Sequence, residues 1–381
     1  MLPYCQRWDI DVIRVGIVGA AGYAGGELLR LLVGHEGVIV TTLVSRTHAG
    51  KPVSQVYPGY YGYDLPHFRE VSVAELANEC DLVFVAAPSG AAWPLMKDLI
   101  SENPKIKIID IGSDLRLKDP ALYGEWYGYE HGAPELLSRS VYGLSELHAE
   151  EICDAQLVAN PGCYPTATIL AFAPLVHYGA VRMDSIIINA LSGVSGAGRT
   201  PALGYHFPEC NENMRAYGLL RHRHIPEIEQ ELTAIARTGG RDDRVSLSFT
   251  PHLVPLNRGI LVTAYAAFRN DLSGDSYLCK GNRDLGIDLD TPGLTEVYKG
   301  FYEGKRFIRI LPPDEIPQTK AVAGSNYCDI GVRVDERTGR VVVMSALDNL
   351  VKGAAGQAIQ NMNLMFGAPE NKGLNLAPFW P

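Results

Sequence analysis

The stretch spanning residues 14–44 constrains the fold more strongly than any other part of the chain. It starts with a short β-branched run, residues 14–18, that leads into glycines at positions 16, 19, 22, 25 and 26. An amphipathic run over residues 27–33 follows, and residues 38–44 form a second strand-like run. Strand, glycine turn, helix and strand in this order predict the first βαβ unit of an α/β fold that binds a dinucleotide.

The glycine positions indicate how such a turn would hold its ligand. Gly19 and Gly22 allow the backbone to approach a pyrophosphate at the N-terminus of the helix, and Gly25 or Gly26 allows the helix to pack closely on the strand. The spacing Gly-x-x-Gly-x-x-Gly departs from the common Gly-x-Gly-x-x-Gly pattern. A glycine-rich turn without a ligand is therefore the alternative interpretation.

The residues after the second strand favour NADP over NAD. NAD-binding domains usually carry an acidic residue there for the ribose hydroxyls, whereas this chain has Ser45, Arg46 and Thr47. A guanidinium at Arg46 can pair with the 2'-phosphate of NADP. The competing interpretation is that Arg46 is a solvated surface charge.

Two further apolar runs, residues 82–87 and 106–111, predict later strands of a parallel sheet that is buried on both faces. Residues 95–100 predict a crossover helix between them. Because ligands bind beyond the carboxyl ends of strands in open α/β sheets, the loop after the second run is a candidate ligand loop. Within that loop, Ser113 and Arg116 are candidates to hold a substrate.

Residues 160–166 read Asn-Pro-Gly-Cys-Tyr-Pro-Thr and have Cys163 at their centre. A proline and a glycine bend the backbone before the cysteine, and Pro165 suits the first position of a helix that continues through residues 168–175. Amide groups and the helix dipole favour thiolate at a helix N-terminus, so Cys163 is a candidate nucleophile. A buried structural cysteine is the alternative. It is also the expectation for the other six, which are Cys5, Cys80, Cys153, Cys210, Cys279 and Cys328.

Beyond residue 163 the pattern changes to longer β-rich runs. The runs that predict strands are residues 185–191, 245–250, 260–268, 306–311, 330–334 and 341–344, with a hairpin turn over residues 335–339. Residues 269–291 predict a polar surface insertion, and residues 348–365 predict an amphipathic helix. These elements predict a second domain built on a sheet.

A glycine- and serine-rich loop follows the first of these strands. It spans residues 192–199 and includes Ser192, Gly193 and Gly196. Such a composition is not expected to form regular structure, and it brings backbone amides close to a ligand.

Residues 221–224 read Arg-His-Arg-His, and Pro226 then suits a helix start. We interpret this cluster as a general base for a thiol together with an anion-binding arginine. A basic surface turn that caps the helix is the alternative. No third ligand at workable spacing lies nearby, so the cluster does not predict a zinc site.

Composition excludes several classes of partner. The 381-residue chain has a net charge of -9 and a pI near 5.6, so we do not expect it to bind nucleic acid or an anionic membrane. No apolar run is long enough to span a bilayer, and residues 1–11 lack the long apolar region that a signal peptide would need, so we do not expect them to act as one. Seven scattered cysteines without a C-x-x-C pair predict neither a disulfide framework nor a zinc site, and they fit a reducing cytoplasm.

Taken together, several segments make the chain resemble the N-acetyl-gamma-glutamyl-phosphate reductase family, within the superfamily that includes aspartate-semialdehyde dehydrogenase. The segments are residues 19–25, 112–117, 160–166, 192–198, 222–230, 324–331 and 348–363. The chain departs from the family at Ser89, where histidine is common, in a longer segment over residues 269–291 and in an extended N-terminus.

The resemblance implies a two-domain architecture. A Rossmann-type dinucleotide-binding domain would span residues 12–162, with the C-terminal region 346–381 returning to it. An α+β catalytic and dimerisation domain would span residues 163–345. A homo-oligomer, dimer or tetramer, is expected on the same ground.

The resemblance also implies a chemistry. The Cys163 thiolate would attack the carbonyl carbon of an acyl phosphate, phosphate would leave, and NADPH would reduce the thioester to an aldehyde. His222 would be the acid/base partner of the thiol. The residues implied to bind substrate are Arg116, Ser113, His224 and Asn160. Those implied to bind NADP(H) are Gly19, Gly22, Tyr23, Gly25, Ser45, Arg46, Ser192, Gly193, Gly196 and Asn349.

Three alternatives stay open at this point. A related reductase would act on the carrier-linked aminoadipyl phosphate of lysine biosynthesis. A non-catalytic NADP-binding sensor would keep the fold without the reaction. A cysteine hydrolase would use Cys163 but leave the glycine turn unexplained.

Overall fold

The structure, a computed structural model, describes residues 12–269 and 289–380 and divides into two compact units. The first unit comprises the described residues up to Gly162 together with Ala354–Leu376. The second comprises the described residues of Cys163–Gly353 and those from Ala377 onwards. The domain boundaries that we expected from the resemblance stay predictions.

The first unit is built around a parallel sheet. Its strands are β1 (Ile13–Val18), β2 (Val38–Val44), β3 (Phe68–Arg69), β4 (Leu82–Val85), β5 (Lys107–Asp110), β6 (Val141–Tyr142) and β7 (Leu157–Ala159). Its helices before residue 163 are α1 (Tyr23–Leu32), α2 (Val53–Val56), α3 (Val73–Glu79), α4 (Ala92–Glu102), α5 (Ala121–Tyr127), α6 (Pro134–Arg139) and α7 (Ser145–Asp154). The strand order among the described residues is β3-β2-β1-β4-β5-β7-β6, and all pairs are parallel.

The predicted strands and crossover helix of this unit are confirmed. The second predicted strand coincides with β2, and the predicted helix 95–100 lies within α4. All four residues of β4 are buried, as expected for a strand of a parallel sheet that is covered on both faces. A continuous apolar run therefore identified the centre of the sheet correctly.

The second unit contains a mixed sheet. Its strands are β8 (Ile186–Gly193), β9 (Arg215–Ala216), β10 (Leu247–Val254), β11 (Ile260–Ala267), β12 (Ile308–Ile310), β13 (Cys328–Asp335) and β14 (Arg340–Leu347). Its helices are α8 (Cys163–His177), α9 (Phe207–Cys210), α10 (Ile225–Thr238) and α11 (Thr291–Phe301). The strand order among the described residues is β12-β13-β14-β11-β8-β10-β9, with β8–β10 and β12–β13 parallel and the other pairs antiparallel. The predicted α+β character is thus confirmed.

Helix α8 is the central packing element of this unit. Nearly all of its side chains are buried, although it contains Pro174, which has no N–H to donate to the Leu170 carbonyl one turn earlier. The hydroxyl of Tyr302 donates to that carbonyl at 2.6 Å instead. Tyr298 donates in the same way to Ala171, also at 2.6 Å. Tyr298 in α11 and Tyr302 directly after it thereby donate hydrogen bonds to the α8 carbonyl groups in the turn before the proline.

After β14 the chain continues through a π-helical turn, Val351–Ala355, into α12 (Gly356–Met365). We expected an amphipathic helix over residues 348–365. A helix is confirmed here, but its amphipathic character is wrong because every residue of α12 is buried. Its polar side chains have partners inside the first unit: Gln357 and Asn361 donate to the Gly143 carbonyl at 2.9 and 2.8 Å. Sequence periodicity does not distinguish a polar side chain that is buried and paired from one that faces water.

The polar insertion predicted over residues 269–291 lies mostly outside the described residues. Helix α11 begins at its last position, Thr291. Within residues 12–269 and 289–380, no helix is both long and apolar enough to cross a membrane.

Candidate active site

The predicted glycine turn lies between β1 and α1 in the first unit. Gly19 has a φ of +79°, and a Cβ at this position would lie 2.3 Å from the carbonyl oxygen of Ala86. Gly22 precedes α1, and its N–H donates to the Gly19 carbonyl at 3.0 Å. A Cβ at Gly25 would lie 2.6 Å from Cα of Ala20, so helix and turn are in close contact there. Glycine is required at positions 19 and 25 by conformation and space.

The N-terminus of α1 fits an anionic group. The helix begins at Tyr23, whose side chain is 41% exposed, and no side chain caps it. The first turn contains no acidic residue. Because the first N–H groups of a helix lack intrahelical partners and carry the positive end of the dipole, this end suits a pyrophosphate.

Ser45 and Arg46 leave the sheet beside this turn. Val18 pairs with Val44, and the N–H groups of Gly19 and Ala20 both donate to the Val44 carbonyl, at 3.1 and 3.2 Å. Ser45 is buried, whereas Arg46 is exposed. The structure therefore brings together the glycine turn and the two residues predicted to select the nucleotide.

The loop after β5 is tied to the loop after β4. The hydroxyl oxygens of Ser113 and Ser89 lie 2.6 Å apart. Asp114 is fully buried, and its carboxylate accepts hydrogen bonds from Gly90 N–H, Ala92 N–H, Trp93 N–H and the Tyr129 hydroxyl. Asp114 thus caps α4 from a distant loop. The sequence carries no local signal of this role, since the capped helix starts 22 residues earlier.

Arg116 and Asn160 are brought together in the first unit. Arg116 is buried, and its Nε donates to the Asn160 carbonyl while Nη2 donates to the Ile111 carbonyl, both at 3.0 Å. The Asn160 side chain accepts from Asn361 and donates to the Ala354 carbonyl, both at 3.1 Å. Through these hydrogen bonds Asn160 fixes the backbone segment that precedes Cys163 in the sequence. Its contact with a substrate stays a prediction.

A buried carboxyl group supports this loop. Asp110 accepts hydrogen bonds from Gly112 N–H at 2.9 Å and Leu115 N–H at 3.2 Å. Burial and the neighbouring Asp114 raise the pKa of Asp110 to about 7, while Arg116 and the two amides oppose that rise. The guanidinium of Arg116 therefore interacts electrostatically with Asp110, a buried carboxyl group that shapes its loop.

In the second unit, Cys163 is the first residue of α8. We expected Pro165 to occupy that first position, and the helix begins two residues earlier. Gly353 is required beside the cysteine, because a Cβ at position 353 would lie 2.8 Å from Cβ of Cys163. The prediction of a thiol at a helix N-terminus is confirmed. Gly353 was not predicted as a site residue from the sequence, although it lies within residues 348–363, one of the segments that carry the family resemblance.

The two histidines lie against the residue that follows the cysteine. The Tyr164 ring centroid is 5.8 Å from that of His222 and 5.9 Å from that of His224, and the two imidazoles are 4.8 Å apart. The Tyr217 hydroxyl donates to the Tyr164 hydroxyl at 3.2 Å. Tyr217 was not identified from the sequence, where nothing distinguishes it from the other tyrosines. Helix α10 begins directly after His224, as Pro226 predicted.

The hydrogen bonds of His222 define its tautomer. Its Nδ1 accepts a hydrogen bond from the His224 N–H at 3.2 Å, so the proton of the neutral ring lies on Nε2. Burial, followed by the charge of Arg223, lowers the pKa of His222 to about 4. At neutral pH this imidazole is uncharged and presents Nε2 as a hydrogen-bond donor.

The lowered pKa of His222 predicts a loss of stability in acid. Because the folded state takes up this proton less readily than the unfolded chain, its contribution is complete above the ordinary value of 6.5 and falls as pH drops through 6.5 towards 4. We expect His222→Gln to lose less stability than the wild type between pH 7 and pH 5, measured as the urea midpoint at each pH. His206→Gln, at an exposed histidine, is the control and should follow the wild type. The same decrease of the urea midpoint with falling pH in all three proteins would contradict a lowered pKa of His222.

A third group of predicted residues converges in the second unit. Asn349 accepts a hydrogen bond from Gly259 N–H at 2.7 Å and donates to the Ser195 hydroxyl at 3.0 Å. A Cβ at Gly196 would lie 3.0 Å from the Ser192 hydroxyl and 3.7 Å from the Asn349 amide nitrogen. The Gly193 N–H donates to the Gly259 carbonyl at 3.0 Å, so the structure brings together Ser192, Gly193, Gly196 and Asn349. Their contact with NADP(H) stays a prediction.

Two expectations for this region need correction. We expected no regular structure over residues 192–199, but Ser192 and Gly193 end β8 and Val194–Ala197 form a 3-10 turn.

We also expected the cysteines other than Cys163 to be buried, which is correct for Cys80 and Cys328. Cys210 is half-buried, and Cys153 is disulfide-bonded. Cys5 and Cys279 lie outside the described residues. Residues 12–269 and 289–380 contain no group of three His, Cys, Asp or Glu side chains that could hold a metal ion.

Comparison with known proteins relates each half of the chain to a domain family. Residues 14–155 match the semialdehyde dehydrogenase NAD binding domain, and residues 163–349 match the semialdehyde dehydrogenase dimerisation domain. A protein of Desulforamulus reducens named N-acetyl-gamma-glutamyl-phosphate reductase is 48% identical over 97% of this chain and 100% of its own length. A protein of Pelotomaculum thermopropionicum with the same name is 49% identical over 95% of this chain and 97% of its own length.

Solved structures share the fold. Aspartate semialdehyde dehydrogenase II from Vibrio cholerae, complexed with ASA, aligns with a TM-score of 0.65 at 17% identity, over 93% of this chain and 98% of that one. The Candida albicans aspartate semialdehyde dehydrogenase with NADP aligns with a TM-score of 0.63 at 16% identity, over the same shares of the two chains. The predicted Rossmann-type and α+β architecture is confirmed by these similarities.

Proposed function

The chain belongs to the N-acetyl-gamma-glutamyl-phosphate reductase family, and we propose on that premise that it reduces N-acetyl-gamma-glutamyl phosphate to N-acetylglutamate 5-semialdehyde and phosphate, with NADPH, in arginine biosynthesis. The observation that carries the proposal is the placement of Cys163 as the first residue of a buried helix, next to a residue whose ring contacts two histidines. The chain also carries a glycine turn that fits a pyrophosphate.

The proposed reaction uses the thiol as a covalent carrier. The Cys163 thiolate attacks the carbonyl carbon of the acyl phosphate, a C–S bond forms, and the C–O bond to phosphate breaks. When bound, NADPH would supply a hydride to the carbonyl carbon of the thioester. The C–S bond would then break, which releases the aldehyde and regenerates the Cys163 thiolate. The amides at the start of α8 are positioned to favour the thiolate and an oxyanion next to it.

His222 would serve this sequence as a hydrogen-bond donor. Its Nδ1 already accepts a backbone N–H, and its Nε2 carries the proton. Taking up a thiol proton at Nε2 would require that backbone bond to break. We therefore assign His222 to stabilise the thiolate and the carbonyl oxygen through Nε2–H, a proposal that replaces the acid/base role that the resemblance implied. His224, Arg116 and Ser113 stay assigned to the substrate.

The nucleotide specificity is part of the proposal. Exposed Arg46 at the end of β2, in place of an acidic residue, supports NADP(H) over NAD(H). The proposed mechanism requires that the Cys163 thiol stays reduced, which supports a cytoplasmic location. The Cys163 thiol takes no part in the disulfide bond of Cys153.

Kinetics of the reverse reaction test substrate and nucleotide together. Formation of NADPH from NADP, or of NADH from NAD, would be followed with phosphate and either N-acetylglutamate semialdehyde or carrier-linked aminoadipate semialdehyde. The proposal expects the highest kcat/KM for N-acetylglutamate semialdehyde with NADP. A higher value for the aminoadipyl compound would favour the lysine-pathway alternative, and nucleotide binding without turnover on either would favour the sensor.

We also propose that copies of the chain associate with one another, as a dimer or a tetramer. The second unit matches a dimerisation domain, and partly exposed side chains alternate with buried ones along β8 and β11. Ile187 is 43% exposed, and it pairs across the sheet with Tyr265, which pairs in turn with Val342. This row of three apolar side chains supports an interface between two copies of the chain.

We expect Ile187→Glu to dissociate the oligomer, because it places a charge in the centre of the proposed interface. Sedimentation velocity at micromolar concentration measures the effect as a shift towards the mass of one chain. Ile39→Glu is the matched control, since Ile39 is a strand isoleucine of the first unit that is 54% exposed. Monomeric wild-type protein, or an unchanged Ile187→Glu oligomer, would contradict this interface.

A further inference from the structure

Tyr57 fastens the turn that leads into α1. It directly follows α2, and its own N–H donates to the Val53 carbonyl at 2.8 Å. Its hydroxyl donates to the carbonyl oxygen of Gly22 at 2.8 Å. The N–H of Gly26 donates to the same oxygen at 2.9 Å. Two donors therefore fix the direction of the Gly22 carbonyl.

The direction of that carbonyl determines where the next amide points. The peptide unit between Gly22 and Tyr23 is planar and trans, so the Tyr23 N–H points opposite to the Gly22 carbonyl. With the carbonyl held towards Tyr57 and α1, the N–H points out of the helix N-terminus. It is one of the N–H groups that have no carbonyl a turn earlier to bind. An amide held in this way is a preorganised donor for an anion.

The chain makes room for the phenol. A Cβ at Gly26 would lie 2.8 Å from both Cζ and the hydroxyl oxygen of Tyr57. Tyr60 packs edge to face on Tyr57, with ring centroids 6.3 Å apart, and donates to the Gly26 carbonyl at 3.3 Å. The bond from Tyr60 lies one helical turn further on and does not involve the peptide between Gly22 and Tyr23.

We propose that Tyr57 is a positioning residue for the pyrophosphate of NADP(H), acting through the Gly22–Tyr23 peptide. The inference rests on the nucleotide site of the proposed function. Tyr57 touches none of the reacting atoms, so its hydroxyl contributes to nucleotide binding and not to the rate of the chemical steps.

Tyr57→Phe removes the hydroxyl and keeps the ring. Titration of NADPH fluorescence should give a Kd about five-fold higher than that of the wild type, because the Tyr23 N–H is then less firmly held in place before the nucleotide binds. In steady-state kinetics the KM for NADPH should rise by a similar factor, with kcat unchanged at saturation. Adenosine 2'-monophosphate, which has no pyrophosphate, should bind the variant and the wild type equally well. Tyr60→Phe is the matched control and should change the Kd less than two-fold.

The outcomes separate this inference from the proposed function. Unchanged NADPH affinity in Tyr57→Phe, with normal wild-type binding, would overturn the inference alone. An equal loss in Tyr60→Phe, or a lower affinity of Tyr57→Phe for adenosine 2'-monophosphate, would also overturn it, because the effect would then be general. Wild-type protein that does not bind NADPH would overturn the proposed function and this inference together.

Discussion

Cys163→Ser is expected to lower turnover by roughly 10³-fold or more, as loss of a covalent nucleophile does in other enzymes, while NADPH affinity stays unchanged. A serine hydroxyl keeps the size of the side chain but does not ionise near neutral pH, even at the N-terminus of α8. The thioester therefore does not form. Initial rates of NADPH oxidation and a fluorescence titration on the same preparation measure the two quantities.

The matched control is Cys210→Ser. Cys210 is a half-buried thiol of the same unit, and its Sγ donates to the Gly204 carbonyl at 3.2 Å, a bond that a serine hydroxyl also makes. This variant should retain wild-type turnover. Activity of Cys163→Ser equal to that of the control would eliminate the covalent mechanism.

Gly19→Ala is expected to have the second large effect, on the fold of the glycine turn and on nucleotide binding. Alanine at a φ of +79° is strained, and its Cβ would lie 2.3 Å from the Ala86 carbonyl oxygen, which belongs to the backbone and has to shift. We expect about 3 kcal/mol of destabilisation, from the strain at positive φ and the displaced backbone. NADPH binding should weaken on the order of 100-fold, because the helix N-terminus moves.

Gly50→Ala separates the strain of a positive φ from the steric contact with the backbone. Gly50 has a φ of +81°, close to that of Gly19, but a Cβ at this position would meet nothing within 4 Å. Urea unfolding should show a loss of about 1 kcal/mol for this control, which is the strain alone. Equal losses in the two variants, with NADPH binding intact in Gly19→Ala, would show that the close approach to Ala86 is not important.

The sequence predicted well what depends on local pattern. Continuous apolar runs identified β4 and β5, and the turn residues around Cys163 indicated a helix that begins there. Polar side chains on α12 were placed in water because their partners, such as Gly143, are more than 200 residues away in the chain. Partners that are distant in sequence leave no periodic signal.

The same reason explains why the roles of several residues, in the site and in the packing around it, were not predicted. Asp114 caps α4 from another loop, Gly353 is needed only because Cys163 approaches it, and Tyr302 replaces a hydrogen bond that Pro174 removes within α8. Each role follows from a contact that the fold creates. The residue type and its neighbours in sequence contain no information about it.

The reverse reaction, with and without alkylation of Cys163, tests whether this cysteine is the covalent nucleophile of a phosphate-dependent reaction. Absorbance of NADPH would be followed after mixing the protein with NADP, phosphate and N-acetylglutamate semialdehyde. We expect NADPH formation that requires phosphate and that prior alkylation of the cysteine abolishes. NADPH formation that continues after complete alkylation, or that is independent of phosphate, would contradict it.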